Sequence, residues 1–167
     1  MVKVIIRYRN GKLYLEKAST DIKNRFGLSE AGDVDPIIAL YLAYSSNAKI
    51  IDSENKELDL DAIIRICEEN NRALETFFVF LDLVKRGKKV RPGIQGNEIV
   101  IEDEKIRIYA IDESSRISVK DLYTLVDRSI KQGYRVIIAL VDLYGDVTYY
   151  EVNKMDFQKI EKKSEII

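Results

Sequence analysis

A chain of 167 residues, 46% of them hydrophobic and 33% charged, can bury a core as one domain or as two small ones packed together. Its net charge of −1 excludes a polybasic glove for nucleic acid and confines any RNA contact to a local patch. Histidine is absent, which removes the commonest general base near neutral pH and the commonest metal ligand; serine-protease, papain-like, His-zinc and His-based ribonuclease mechanisms are excluded for the chain acting alone.

The first elements are set by turn and cap chemistry. Val2 to Arg9 and Lys12 to Glu16 flank Asn10-Gly11, a hairpin signal because both turn positions take positive φ. Ser19 is placed to cap a short helix through about Phe26, which Gly27 ends. Ser29 to Val34 reads as a loop. Asp35-Pro36 forms an N-cap and first helical position, and Ile37, Leu40, Tyr41 and Tyr44 recur at helical spacing to about Ser46. Lys49 to Asp52 and Glu57 to Leu60 suggest a second hairpin around Glu54-Asn55. Two helices follow, from about Leu60 to Glu69 and from Arg72 to Arg86. The second carries Leu74, Phe77, Phe78, Leu81 and Val84 on a face wide enough to be buried between layers. Phe77, Phe78 and Phe80 could stack on bases, but this spacing points to core packing. Cys67, the single cysteine, rules out an internal disulfide and fits a small core residue.

Beyond Gly87 the pattern turns to strands: Lys88 to Arg91, Glu98 to Ile101 and Lys105 to Ile111. A helix from Ser118 to Gln132 has Ser118 and Asp121 as a box-like cap and Gly133 as its stop. Tyr134 to Val141 is too continuously apolar to be half exposed and reads as a buried central strand. Val147 to Val152 alternates as an edge strand would. The turn between them holds Asp142, Gly145 and Asp146. An unpaired edge bearing Tyr149 and Tyr150 beside two carboxylates fits an assembly surface; an ordinary solvated hairpin fits as well. The expected class is α+β, a small mixed N-terminal domain (1–87, including the linking helix 72–86) and a C-terminal α/β domain (88–152), then a charged tail (153–167). No apolar run approaches the roughly 18 residues of a membrane span, and charges interrupt the apolar stretch of Met1 to Arg9, so a cytoplasmic protein without membrane association is expected. Abundant Ile, Lys and Glu with no tryptophan fit a thermophile.

Two charged runs could carry chemistry. Lys85, Arg86, Lys88, Lys89 and Arg91 offer either local contacts to RNA phosphate or a neutralised helix end with solvated neighbours. Asp103-Glu104-Lys105 matches the Asp/Glu-x-Lys half of a PD-(D/E)xK-like, magnesium-dependent nuclease site; a charged hairpin turn explains it equally.

The order of parts, with VRPG at 90–93, YAIDESSRIS at 109–118 and VIIALVDLYGDVTYYEV at 136–152, resembles an archaeal tRNA-splicing endonuclease subunit. The similarity covers Asp35 to Val152 and is strongest in Phe80 to Gly93 and Arg107 to Val152. It implies a C-terminal domain of the tRNA-intron endonuclease catalytic-domain type. Active members cut precursor tRNA without metal or cofactor, through a tyrosine, a histidine and a lysine. The 2′-hydroxyl attacks the neighbouring phosphate and leaves a 2′,3′-cyclic phosphate. Here the interval Ile94 to Lys105 is too short to hold the tyrosine and histidine, and Ile101 falls near the tyrosine position. Gly133-Tyr134 stands where the family has Arg-Lys, with Lys131 and Arg135 out of register. Around Asp127-Arg128 the resemblance implies that an arginine holding the substrate in active members is replaced. A positioned acid or base contributes about 10²- to 10⁴-fold, so no catalytic residue is assigned. The resemblance therefore implies a non-catalytic, structural subunit paired with a catalytic chain in an α2β2 heterotetramer, or a homodimer when isolated. In the family the acidic turn enters a basic cleft of another subunit and terminal strands add edge to edge. The implied interface is Asp142, Leu143, Tyr144, Gly145, Asp146, Tyr149, Tyr150 and Val152. A stand-alone magnesium nuclease using Asp103 and Lys105, and a homo-oligomeric RNA-binding module, are the competing readings.

Overall fold

The computed structural model describes residues 4–45 and 48–155. Strand β1 (Val4–Arg9) and β2 (Lys12–Ala18) pair antiparallel. Asn10 and Gly11 join them at φ 52° and 78°, as the hairpin turn requires. Helix α1 (Thr20–Phe26) ends at left-handed Gly27, but Ser19 makes no side-chain cap bond; only its carbonyl engages the helix, accepting from Lys23 N. Helix α2 (Pro36–Tyr44) is capped by Asp35, whose carboxylate accepts from Ile37 N at 2.9 Å. It leads to β3 (Ala48–Ile51), parallel to β1, and completes a three-stranded sheet of order β2-β1-β3.

The expected second hairpin does not form as two strands. Asp52 accepts from Glu54 N and Lys56 N and closes the turn, yet only an isolated Ile51–Glu57 bridge follows. Asp59 then accepts from Ala62 N and starts helix α3 (Leu60–Glu69). Capping has drawn the second segment out of the sheet. Helix α4 (Leu74–Lys85) begins two residues later than expected. Asn71 has φ 56°, which breaks the chain there and sends the Arg72 side chain across the molecule. Phe77 and Phe80 are buried, Phe80 lying 5.7 Å from the Tyr41 ring and 6.3 Å from that of Phe26. These are core contacts, not base-stacking platforms.

A Schellman closure ends α4: Lys88 N donates to Leu83 O and Gly87 N to Val84 O, both at 3.0 Å. Lys88 is thereby drawn into the helix end, and the strand expected over Lys88–Arg91 shortens to β4 (Arg91–Pro92). Next come β5 (Glu98–Ile101), β6 (Ile106–Asp112), helix α5 (Val119–Lys131), β7 (Arg135–Val141) and β8 (Val147–Val152). The sheet order is β4-β5-β6-β7-β8, with only β6 and β7 parallel. Helix α5 is their crossover. Ser118 accepts from Asp121 N at 3.0 Å, and Gly133 at φ 82° sits in a second Schellman closure. As expected, β7 is central and β8 an edge. Helix α4 joins the two sheets: its buried face belongs to one apolar cluster running from Val4 to Val141, while Tyr109, Val126, Val136 and Ile138 form a smaller one. The expected extension of β1 to Val2, of α2 to Ser46, and the charged tail from residue 156 lie outside the described residues.

Candidate assembly surface and the network around Glu102

The β7–β8 turn is closed by Asp142 N donating to Asp146 O at 3.0 Å and Gly145 N donating to Asp142 O at 3.1 Å, with Gly145 at φ 83°. This is a tight turn ending in a glycine bulge, a geometry that matches strand twist. Asp142 Oδ1 accepts from Tyr144 N at 2.8 Å and Asp146 N at 2.9 Å. One of its oxygens is therefore used inside the turn, which revises the expectation of two equally presented carboxylates. Leu143 and Tyr144 stand out at 84% and 87% exposure. Leu143 N also donates to Glu113 Oε1 at 3.3 Å.

A stripe on α4 backs this hairpin. A Cβ on Gly145 would stand 2.9 Å from Phe78 Cε1, so the turn rests on that ring. One helical turn further, Asp82 Oδ2 accepts from Tyr149 OH at 2.6 Å and Arg86 Nε at 2.7 Å. The Arg86 guanidinium lies 5.8 Å from the Tyr149 ring centre. Burial, then the bond to Asp82, push the Tyr149 hydroxyl pKa up. Tyr149 thus belongs to the inner face, a correction to its expected place on the exposed edge. Tyr150 alternates to the opposite face at 53% exposure, and Val152 is partly buried against the Tyr109 cluster. The sequence reading puts Phe78 on the buried face of this helix without its place under the turn, and leaves Asp82 out; the spacing Phe78, Asp82, Arg86 at i, i+4, i+8 is the available signal.

Glu102 and Lys105 close the β5–β6 turn, Lys105 at φ 53°. The Glu102 carboxylate accepts from Lys105 Nζ at 2.5 Å, from Tyr134 OH at 2.9 and 3.0 Å, and from Arg91 Nη2 at 2.9 Å. These donors, Lys105 foremost, pull its pKa down to about 2. The Tyr134 ring lies 4.2 Å from the Arg107 guanidinium and 5.3 Å from Lys105 Nζ. Tyr134, aligned by resemblance with the catalytic lysine, is thus held in a local network. Ile101, near the tyrosine position, is buried in β5 at 3% exposure. Arg128 turns inward, its Nη2 3.4 Å from Tyr109 OH. With the Gln95 amide oriented to satisfy both side chains, Gln95 accepts from both Arg128 nitrogens at 2.9 Å.

The same turn neutralises much of the basic run. Arg86 pairs with Asp82, Lys88 with Glu104 at 2.6 Å and Arg91 with Glu102. Among the described residues, only Lys85 and Lys89 of the five make no ion pair. Asp103-Glu104-Lys105 is an exposed hairpin turn with its lysine engaged by Glu102, and no group of three or more His, Cys, Asp or Glu able to hold a metal occurs among the described residues. None of the helices there is long and apolar enough to cross a membrane.

The fold is thus two mixed sheets joined by α4, with a projecting β7–β8 turn and, among the described residues, β8 at the edge of its sheet. No family model matches the chain. The chain is 28% identical to the tRNA-splicing endonuclease of Pyrococcus horikoshii over 85% of its length and 89% of that protein. It is 27% identical to that of Pyrococcus abyssi over 94% and 100% of the two chains, and 28% identical to that of Thermococcus kodakarensis over 71% and 75%. The chain is a distant homologue of the archaeal tRNA-splicing endonucleases.

Proposed function

We propose that this chain is a non-catalytic, structural subunit of a heterotetrameric tRNA-splicing endonuclease that removes introns from precursor tRNA. Its work is to hold two catalytic partners at the separation set by the two splice sites, through the Asp142–Asp146 turn and the β8 edge. The observation carrying this reading is Tyr134, at the place of the catalytic lysine, its hydroxyl on Glu102 and its ring against Arg107. A tyrosine there supplies no cation for the cleaved phosphate. The absence of histidine removes the acid, and each lost acid or base costs about 10²- to 10⁴-fold. Contact with precursor tRNA falls to Lys85 and Lys89, the members of the basic run without carboxylate partners; two phosphate contacts would give only a shallow salt dependence.

Co-expression with a homologous chain carrying the tyrosine, histidine and lysine tests the proposal. The expected result is a stable complex of two copies of each chain that cleaves precursor tRNA. A catalytic chain that assembles and cleaves equally well without this one would overturn it.

A further inference from the structure

The outer face of the N-terminal sheet carries cations that no carboxylate answers. Alternation along β1 and β2 turns Arg7, Arg9, Lys12 and Tyr14 away from the core, and the register sets Arg7 beside Tyr14 and Arg9 beside Lys12. Arg7 is fully engaged, by Glu16 at 2.7 Å and by Asp52 O and Asn55 Oδ1 at 3.0 Å each. Arg9 and Lys12 are exposed and make no ion pair among the described residues. The Arg9 guanidinium lies 5.7 Å from the Tyr14 ring centre. Both side chains line a cavity of about 420 Å³, within the roughly 300–1,000 Å³ usual for small-ligand sites. Glu30 and Ala31 form its far wall. That wall is fixed to β2, Ala31 N donating to Leu15 O at 3.1 Å and Leu15 N to Gly32 O at 3.0 Å, so the cavity is built before a ligand arrives. Glu16 and Glu30 also line it. Each gives one oxygen to a cation, Arg7 and Lys23 respectively, and keeps the other for an N–H donor.

An aromatic ring, a planar cation and spare acceptor oxygens select a flat ligand with N–H groups on its edge and a negative charge beside it. A nucleobase with its phosphate has that chemistry. In a duplex the faces and pairing edges of the bases are covered, whereas an unpaired nucleotide offers both. An acidic peptide would instead bring its carboxylates against Glu16 and Glu30. We infer that the Arg9–Tyr14 cavity binds an unpaired nucleotide of single-stranded RNA, its base stacked on Tyr14 and donating to Glu16 or Glu30, its phosphate on Arg9 and Lys12. The inference rests on the precursor-tRNA role proposed above and adds a contact on the N-terminal sheet, separate from Lys85 and Lys89.

Fluorescence anisotropy of a short, labelled, unstructured RNA rich in purines, titrated with the purified full-length chain, tests this. Binding is expected to survive an excess of duplex RNA. Tyr14→Ala should weaken it about tenfold, and Tyr14→Phe, which keeps the ring, should stay within about threefold of wild type. Arg9→Ala and Lys12→Ala should each weaken binding and reduce the slope of log affinity against log salt by about 0.7, the share of one phosphate on a single strand. Arg9 and Lys12 are exposed, so their variants carry the test even if Tyr14→Ala perturbs the hairpin. A wild-type chain that binds no single strand would overturn the inference. So would affinity and salt slope unchanged in Arg9→Ala and Lys12→Ala, complete displacement by duplex RNA, or tighter binding of an acidic peptide. All of this is read on the chain alone, so its failure leaves the structural-subunit reading to be judged by co-expression and cleavage.

Discussion

Glu102 is the most heavily engaged carboxylate of the β5–β6 turn. Three donors from β4, the β5–β6 turn and the residue before β7 converge on its carboxylate, and its folded pKa lies near 2 against an ordinary 4.5. A carboxylate depressed on folding stabilises the native state above its unfolded pKa, and that contribution is lost as pH falls through the folded value. Melting temperature should therefore fall between pH 4.5 and about 2, and Glu102→Gln should flatten that part of the profile by lowering its neutral part, the two proteins converging toward the acid end. A profile for Glu102→Gln that superimposes on wild type would show that the carboxylate is not coupled to folding. At Tyr149 the hydroxyl donates to Asp82; Tyr149→Phe should cost about 1 kcal/mol in chemical denaturation, since Asp82 keeps Arg86 and access to water.

Among the elements, the ones with local signals were legible. Asn10-Gly11, Asp35-Pro36 and Ser118 with Gly133 each specify a turn or a cap through their own chemistry, and each appears where the residues point. The apolar run of β7 and the alternation of β8 likewise gave central and edge positions correctly. Glu57 to Leu60 was misread because strand propensity there yields to the Asp59 cap, a choice between neighbours that periodicity alone does not settle. The facing of Tyr149 depends on register with α4, a tertiary fact. So do the pairings that neutralise Lys88 and Arg91, whose partners lie 16 and 11 residues away. The role of Phe78 beneath the turn makes a sharp test of element packing. Gly145→Ala places a side chain at φ 83° against that ring, and should destabilise by about 1–2 kcal/mol from backbone conformation alone, more if Phe78 does not move. A melt unchanged from wild type would mean the turn is not seated on α4.

Across the whole molecule, Arg72 joins the two halves. Its guanidinium binds the Asp35 carboxylate at 2.5 and 3.1 Å, and reaches Gly93 O at 2.7 Å and Gln95 O at 2.5 Å. With side chains only 11% and 22% exposed, removing one partner leaves a charge poorly solvated. Arg72→Ala should cost about 3 kcal/mol in a single unfolding transition; an undiminished denaturation midpoint would remove the clasp from the account. Such a clasp fixes the attitude of the β7–β8 turn and the β8 edge relative to the N-terminal sheet. The central claim is that this chain braces an endonuclease without cutting RNA. Its most direct measurement is incubation of the purified chain, free of any homologue, with a precursor tRNA containing a bulge-helix-bulge intron, with and without magnesium. Intact RNA in both conditions is the expected result, whereas cleavage at the splice sites by this chain alone would contradict the claim.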